Sequence, residues 1–511
     1  MQDIKRKKIV SLRYLTSIIS KFQNKKSKII LCHGVFDLIH PGHIRYFSSA
    51  KKLGDVLIVT VTADKYVNKG PGRPYFNENL RAEVLAALSD IDFVAIVNHE
   101  SAVPAIHAIK PDIYVKGPDY KNRKPTLSSK KLQLEETAVR KYGGKVVFTD
   151  DIIFSSSYLL NQYIDSFPEE TKQFLESFKK KYSENRIISD LSKLKKTRAL
   201  IIGDTIIDEY HYSDPLGKSS KEPIVVHKYL REESYAGGVL ATANNMASLL
   251  SRVSLLTLLG QKKSYEKFIR KHLKENILPT FFSRPNSQTI VKRRYIDAFT
   301  AQKLFQVSYI PDGFIDEKLE NKIIDFLKKN IRSFDMTIVN DFGHGFITPK
   351  IIKIVSEKSN YLAINVQTNS ANFGFNVITK YPKADYICID EMELRLASHD
   401  RYGDTKKIMK KIYDLLKAKK IIVTKGPLGS FAFSRGDGFI HVPALTQSIV
   451  DRVGAGDALF AITAPCIFSG MDLTESTFIG NVAAGLKLQM VANKKPIEFA
   501  DMEKFITRLF K

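Results

Sequence analysis

The stretch Lys28-Ile29-Ile30-Leu31-Cys32-His33-Gly34-Val35-Phe36-Asp37-Leu38-Ile39-His40-Pro41-Gly42-His43 leaves this chain few folds to choose from. Its apolar first half reads as a buried strand. A glycine-containing turn follows, then an amphipathic helix from Ile44 to about Leu53. A strand feeding a helix N-terminus makes an anion site, because the first helical N–H groups lack an intrahelical acceptor and the helix dipole favours negative charge. His40 and His43 face the same side at that mouth and can donate hydrogen bonds to phosphoryl oxygens as charge grows on them. A bare His-x-Gly-His can be structural. Set after a strand and a Gly-x-Phe-Asp turn it reads as a nucleotide site, with Gly34, Val35 and Phe36 beside the phosphates.

From Lys28 to about Ile164 strand and helix patterns alternate: Ile29–His33, the first helix, Val56–Thr62, a helix over Glu78–Leu88, then Phe93–Val97, Asp112–Lys116 and Val146–Thr149. That alternation predicts a parallel sheet covered by helices on both faces. Residues 1–27 are basic, with Leu12, Leu15, Ile18, Ile19 and Phe22 at helical spacing, and read as an N-terminal helix on a domain spanning 28–165. Residues 166–196 are charged with a helical pattern and read as a helical linker. At Ala199-Leu200-Ile201-Ile202-Gly203-Asp204 a second strand and turn open an α/β domain spanning 197–511.

Hydrophobic content of 44% fits a soluble globular protein, and no apolar run reaches the roughly 18 residues of a membrane span. The Lys-rich start has no apolar segment before a small-residue cleavage site, so no secretory signal is expected. The three cysteines, Cys32, Cys388 and Cys466, lie far apart in apolar surroundings, which fits a reduced, cytoplasmic protein. The formal charge of +25 fits nucleic-acid binding, or a Lys-rich surface with pockets for anionic substrates. The basic residues are spread along the chain without Arg-aromatic interleaving, so the second reading is preferred.

In the first half, Lys69 and Arg73 stand in a Gly/Pro-rich loop, which is either a solvated loop or an arm reaching a triphosphate. Lys116-Gly117-x-Asp119-Tyr120 ends a strand, where open α/β sheets bind ligands. Ser155, Ser156 and Ser157 open a helix, as an N-cap or as a second anion site. The first motif resembles the nucleotidyltransferases of the cytidylyltransferase-like superfamily. With Lys69, Arg73-Pro74, the Lys116 run and the serines in the same order, residues 28–163 resemble the adenylyltransferase module of bifunctional heptose-phosphate kinase/adenylyltransferases. That resemblance implies a Rossmann-like fold, nucleotide binding at Arg73, Lys116, Asp119 and the serines, and His40, His43 and Lys69 acting in catalysis. It also implies attack by a sugar phosphate on the α-phosphorus of ATP, with CTP as the other nucleotide, and Mg²⁺ on the triphosphate. Asp150-Asp151-Ile152-Ile153 stands where glycerol-phosphate cytidylyltransferases carry Arg-Thr-Glu-Gly, which leans toward ATP.

In the second half, Val450-Asp451-Arg452-Val453-Gly454-Ala455-Gly456-Asp457 runs into an apolar helix. The turn offers consecutive N–H groups to an anion, and a carboxylate follows where it can take a proton from a hydroxyl. It resembles the Asp-Thr-x-Gly-Ala-Gly-Asp signature of ribokinase-type sugar kinases. The resemblance implies a ribokinase-like fold with Asp457 as base and Gly454, Ala455 and Gly456 on the γ-phosphoryl group. It sets Asp208, Gly237, Gly238 and Lys292 on the sugar side, Thr424, Gly426, Gly429 and Asn481 on the nucleotide, and Asp390 and Glu393 near the metal. Within that superfamily residues 198–511 look like the heptose-phosphate kinase module, including Asp341-Phe342-Gly343-His344-Gly345.

The chain also departs from that pattern. Ala241 stands where a sugar-binding Asn is usual, Asn365 and Gln367 replace the ends of Asp-Pro-Lys, and Gln261-Lys262-Lys263 follows Gly260 without an acidic residue. The module order is the reverse of the bifunctional enzymes it resembles. The implied protein makes a nucleotide-activated, heptose-like sugar from a sugar phosphate, with a separate phosphatase between the two steps. The other reading is a sugar- or polyol-phosphate cytidylyltransferase joined to a weak or regulatory kinase. The resemblance also allows a homodimer.

Overall fold

The apolar run of the first motif is strand β1 (Ile29–Gly34), enclosed at the centre of a sheet. Strands β2 (Val56–Thr62) and β3 (Phe93–Val97) lie on one side of it, β4 (Ile113–Lys116) and β5 (Lys145–Phe148) on the other. The order is β3-β2-β1-β4-β5 and every neighbouring pair is parallel. This computed structural model describes residues 8–67, 74–117, 127–149, 167–446 and 449–510. The chain divides into two units, essentially Met1–Ser166 and Phe167–Ile506.

In the first unit alternate residues of each strand face opposite sides. Ile29 and Leu31 pack with Leu15 and Ile19 of the Leu12–Asn24 helix and with Ala105 and Ile106 of a Val103–Ile109 helix. Ile30 and Cys32 pack with Phe47 of the Pro41–Lys51 helix and Leu85 of the Glu78–Ala86 helix. Both faces are covered, so the strands are apolar without alternation. Two helices escape the sequence reading: Val103–Ile109 and Leu127–Arg140.

The second unit is organised by β6 (Ala199–Lys218), a strand of 20 residues. Its first part pairs in parallel with β8 (Val253–Lys262) and β12 (Met336–Asp341). From there the sheet continues in parallel through β13 (Leu362–Val366), β14 (Tyr386–Asp390) and β15 (Lys420–Thr424). It ends in the antiparallel strands β16 (Ser430–Ser434) and β17 (Gly438–Val442). Strand β9 (Ile277–Gln288) extends the other side in parallel. From about Thr205 onward β6 leaves this sheet. It pairs with β7 (Val225–Gly238), antiparallel, and β10 (Ile290–Asp297), parallel; β11 (Lys303–Tyr309) adds antiparallel to β10. These four strands form a flap whose outer strand β11 is exposed along its length.

The Ala455–Phe468 helix is buried continuously from Asp457 to Ile467, which is why its sequence is apolar all round. The 166–196 stretch is helical over Glu169–Lys181 and Glu184–Lys193, but these helices are not a free linker. Phe178 stacks on Phe478 at 4.2 Å between ring centroids, and Tyr182 donates to Asp472 Oδ1 at 2.5 Å. A Phe and a Tyr one turn apart give the segment an apolar face that the second unit covers. No helix among the described residues is long and apolar enough to cross a membrane.

Candidate functional site

In the first unit His40 caps the Pro41–Lys51 helix, its Nδ1 accepting from the Gly42 N–H at 3.2 Å. His43 lies one turn on, and the two rings are 3.9 Å apart between centroids. Burial holds the His40 pKa below the ordinary histidine value, so its imidazole is neutral near pH 7. Phe36 adopts a left-handed backbone, φ 49°, that folds its ring back over Gly34. A Cβ on Gly34 would lie 2.9 Å from that ring, so the turn is built for glycine. Asp37 accepts from the N–H groups of Tyr75 and Phe76 at 2.7 and 3.1 Å.

Arg81, fully buried in the Glu78–Ala86 helix, ties this turn to its surroundings. Its guanidinium donates to Val35 O, to Thr62 O at 2.9 Å, to Phe76 O at 2.9 Å and to Asp64 at 2.5 Å. Sequence reasoning missed it. The signal was an arginine on the same helix face as Ala82 and Leu85. Lys116 does not stand in an open crevice, which corrects the expectation. It is buried with its ammonium 3.0 Å from Glu135, which also accepts from Tyr114 Oη and the Ala102 N–H. Burial works to raise the Glu135 pKa, but Lys116 and the Ala102 hydrogen bond outweigh it and the carboxylate stays ionised. Lys69, Arg73, Asp119 and Ser155, Ser156 and Ser157 lie outside the described residues.

In the second unit Gly454, at φ 83°, is the N-cap of the Ala455–Phe468 helix, and Asp457 stands in its first turn. The Asp457 carboxylate is buried. Its Oδ1 accepts from Gln367 Nε2 at 2.6 Å and from Asn340 Nδ2 at 3.3 Å. Gln367 also donates to Asn365 Oδ1 at 3.0 Å, and Asn365 donates to Cys388 O at 2.8 Å. The two residues that depart from Asp-Pro-Lys therefore form a relay onto the carboxylate. Burial pushes the Asp457 pKa up to about 6, the two amide donors pull against it, and Asp208 adds a further upward push. A carboxylate titrating there is ionised at neutral pH and basic enough to accept a proton.

On the flap side Asp208 stands opposite Lys292 in the β6–β10 register and takes Arg294 Nη1 on Oδ1 at 2.5 Å. A Cβ on Gly237 would lie 2.1 Å from Asp208 Oδ2, and Gly238 adopts φ 56°. Gly237 makes the room in which that carboxylate sits, while Gly238 packs against Asp204 O and Ile206. Burial draws the Lys292 pKa down, while Asp208, Asp204 and Asp457 draw it back. Asp204 beside them is pushed up to about 7 by burial and by Asp341.

Thr424, Gly426 and Gly429 form a tight turn closed by Lys425 N–H to Gly429 O at 2.7 Å. Gly429 is at φ 83°, with Val442 O 2.2 Å from where a Cβ would stand. Two sets of expected site residues make contacts inside the fold. Asn481 uses its carboxamide inside the fold: Oδ1 accepts from Ser430 Oγ at 2.8 Å, and Nδ2 donates to Val442 O and Pro443 O at 3.0 and 3.3 Å. Asp390 and Glu393 form a capping box on the Glu391–Ser398 helix, at 2.7 and 2.9 Å, and Glu393 also accepts from the Thr368 N–H at 3.2 Å. Burial first, then Asp390, pushes the Glu393 pKa up to about 8. Each Glu393 oxygen thus carries one backbone N–H. Among the described residues no group of three or more His, Cys, Asp or Glu could hold a metal ion.

Comparison with known proteins follows the same division. Residues 31–162 match the cytidylyltransferase-like family, and residues 196–498 match the pfkB family of carbohydrate kinases. The bifunctional protein HldE of Citrifermentans bemidjiense is 26% identical over 294 residues, 57% of this chain and 59% of that protein. The bifunctional protein HldE of Campylobacter jejuni serotype O:6 is 28% identical over 320 residues, 61% of this chain and 65% of that protein. The chain thus spans about three fifths of the length of these curated relatives. Phosphofructokinase-2 from Escherichia coli in complex with potassium superposes with a TM-score of 0.50 at 13% identity, over 62% of this chain and 99% of that one, a likeness of fold. Since the carbohydrate kinase match takes in more than half of the 511 residues, the chain belongs to the pfkB carbohydrate kinase family.

Proposed function

We propose that the chain is a bifunctional enzyme whose second unit phosphorylates a sugar or sugar phosphate and whose first unit transfers a nucleotidyl group to a sugar phosphate. In the second unit Asp457 takes the proton of the acceptor hydroxyl as its oxygen attacks the γ-phosphorus of ATP, and ADP leaves. Gly454, Ala455 and Gly456 receive the phosphoryl oxygens, and Asp208 beside Gly237 and Gly238 holds the sugar hydroxyls. The observation carrying this reading is the buried Asp457, wired through Gln367 and Asn340, in the first turn of a glycine-opened helix.

In the first unit a sugar phosphate oxygen attacks the α-phosphorus of ATP and pyrophosphate leaves. The nucleophile is already ionised, so positioning and charge suffice. His40, held neutral by burial, and His43 beside it at the helix mouth support that role, with Lys69, Arg73, Asp119 and the serines as further contacts. Mg²⁺ accompanies the nucleotide in both units. The heptose-like acceptor follows from the resemblance to the heptose-phosphate enzymes, although here the nucleotidyltransferase-like match precedes the kinase match.

The test offers ATP or CTP with heptose 1-phosphate and a panel of sugar phosphates to the full chain, reading pyrophosphate release and labelled phosphoryl transfer separately. Phosphoryl transfer abolished by Asp457→Asn, and pyrophosphate release from ATP abolished by His43→Ala, are expected. Transfer that survives Asp457→Asn would refute the kinase assignment. Release with CTP alone would move the first unit to the cytidylyltransferase reading.

A further inference from the structure

The Leu473–Lys487 helix ends in a charge that the reaction above does not use. Lys487 is 1% exposed, the last residue of an otherwise apolar helical turn. Its ammonium donates to Ala492 O at 2.5 Å. Its Cε lies 3.0 Å from where a Cβ of Gly454 would stand, so the side chain runs directly beneath the glycine turn. The Ala492 peptide continues the connection, its N–H donating to Asp451 Oδ2 at 3.0 Å while Asp451 Oδ1 accepts from the Val453 N–H at 3.1 Å. Lys487 is thus linked through the backbone of Ala492 and one carboxylate to the residue preceding Gly454.

Two features argue against a merely accommodated lysine. Ala492 is held at φ 42°, a left-handed conformation unfavourable for a non-glycine residue, and it is the carbonyl of this residue that faces the ammonium. Asn493 Oδ1 is buried without a hydrogen-bond partner and lies 2.6 Å from the same Gly454 position. A buried lysine is costly unless its charge is compensated. The opposing charges are Asp457 on the adjoining helix, Asp208 on β6 and Asp451 in the motif loop.

We propose that Lys487 is a resident cation of the phosphoryl-transfer site, a positioning residue that fixes the Gly454–Gly456 turn from beneath and supplies positive charge to the phosphoryl group moving onto it. This rests on the kinase reading. A fixed charge behind the turn stabilises the transition state more than the ground state, so its loss falls on kcat. Burial pushes the Lys487 pKa down to about 8, with Asp457, Asp208 and Asp451 pulling it back. The charge is therefore present at neutral pH and lost on the alkaline side.

The experiment measures phosphoryl transfer by the full chain and its Lys487→Met and Lys487→Ala variants, with thermal melts to verify folding. Lys487→Met is expected to lower kcat about a hundredfold, the scale of losing one preorganised donor, with the acceptor KM within about twofold. Methylammonium ion should restore part of the Lys487→Ala rate and leave wild type unchanged. Should neither variant fold, the wild-type rate itself must fall as pH rises through about 8, and a flat profile to pH ~9.5, well above that titration, overturns the proposal. An active wild type with an equally active, folded Lys487→Met overturns this inference alone. A wild type that transfers no phosphoryl group overturns it together with the kinase reading.

Discussion

Gln367 Nε2 donates to Asp457 Oδ1 from 2.6 Å while Gln367 also holds Asn365 Oδ1 at 3.0 Å. One carboxamide thus bridges the Asn365 side chain and the Asp457 carboxylate. A donor on a carboxylate favours its charged form, so Gln367 opposes the burial that pushes Asp457 up to about 6.

Removing that donor should move the titration, not only the rate. In Gln367→Leu the Asp457 pKa rises further, by roughly one unit for one lost hydrogen bond. The base must be ionised, so kcat of phosphoryl transfer should fall about tenfold on the acid limb, a one-unit displacement, and converge on the wild-type value at the same pH once both carboxylates are ionised. A kcat profile from pH 5 to 9 reads this directly. A limb that stays in place would mean that Gln367 does not tune the base.

Gly237→Ala places a methyl group 2.1 Å from Asp208 Oδ2, and Asp208 must leave its position beside Arg294. Acceptor phosphorylation should fall at least about tenfold in kcat/KM, the effect of losing one hydroxyl-binding group at about 1.4 kcal/mol. Pyrophosphate release by the first unit should be unchanged. Parallel assays on one preparation separate the two.

Arg81→Met leaves three carbonyl oxygens and Asp64 without their donor around the Gly34–Asp37 turn. Asp64 is partly exposed and water can take the lost donor's place there, so the cost is that of leaving buried carbonyls unpaired, about 1–3 kcal/mol. Denaturant unfolding should show that loss in the first unit. Pyrophosphate release should fall even where the variant remains folded, because Val35 is no longer anchored.

Asn481→Ala discriminates a tether from a nucleotide contact. It deletes three buried hydrogen bonds, so stability should fall by about 1–3 kcal/mol. The KM for ATP in phosphoryl transfer should change by less than about threefold, since uniform binding is not what is lost. A large rise in KM with unchanged stability would support Asn481 as a direct nucleotide contact.

The strands of the first unit were legible because fully covered parallel strands read as continuous apolar runs; in the second unit the strand and turn read at 199–204 proved to be the start of β6, which runs on without a turn to Lys218. Ile29–Gly34 and Val56–Thr62 lie where the sequence puts them. Val103–Ile109 is only seven residues long, and Leu127–Arg140 is strongly polar, so neither shows a clear apolar stripe. The glycine turn and Asp457 were visible as a local motif. The donors that tune Asp457 were not, because Asn340 and Gln367 are 117 and 90 residues away in sequence and meet it only through sheet pairing. Asp390-x-x-Glu393 carries a second signal that the sequence reading passed over: its spacing before a helix is that of a capping box, which the structure forms.

Strand β6 belongs to two sheets at once: residues 199–204 to the central sheet and the remainder to the flap. An extended strand advances about 3.3 Å per residue, so the arm from Asp208 to Lys218 is roughly 30 Å long. It works as a lever with its fulcrum at the sheet crossing. A rotation of a few degrees there sweeps the outer edge of the flap through ångströms, yet displaces Asp208, four residues from the pivot, by only a fraction of that. The geometry thus sets Asp208, in register with Lys292 and beside Gly237, close to the pivot, and leaves the exposed edge of the flap far from it.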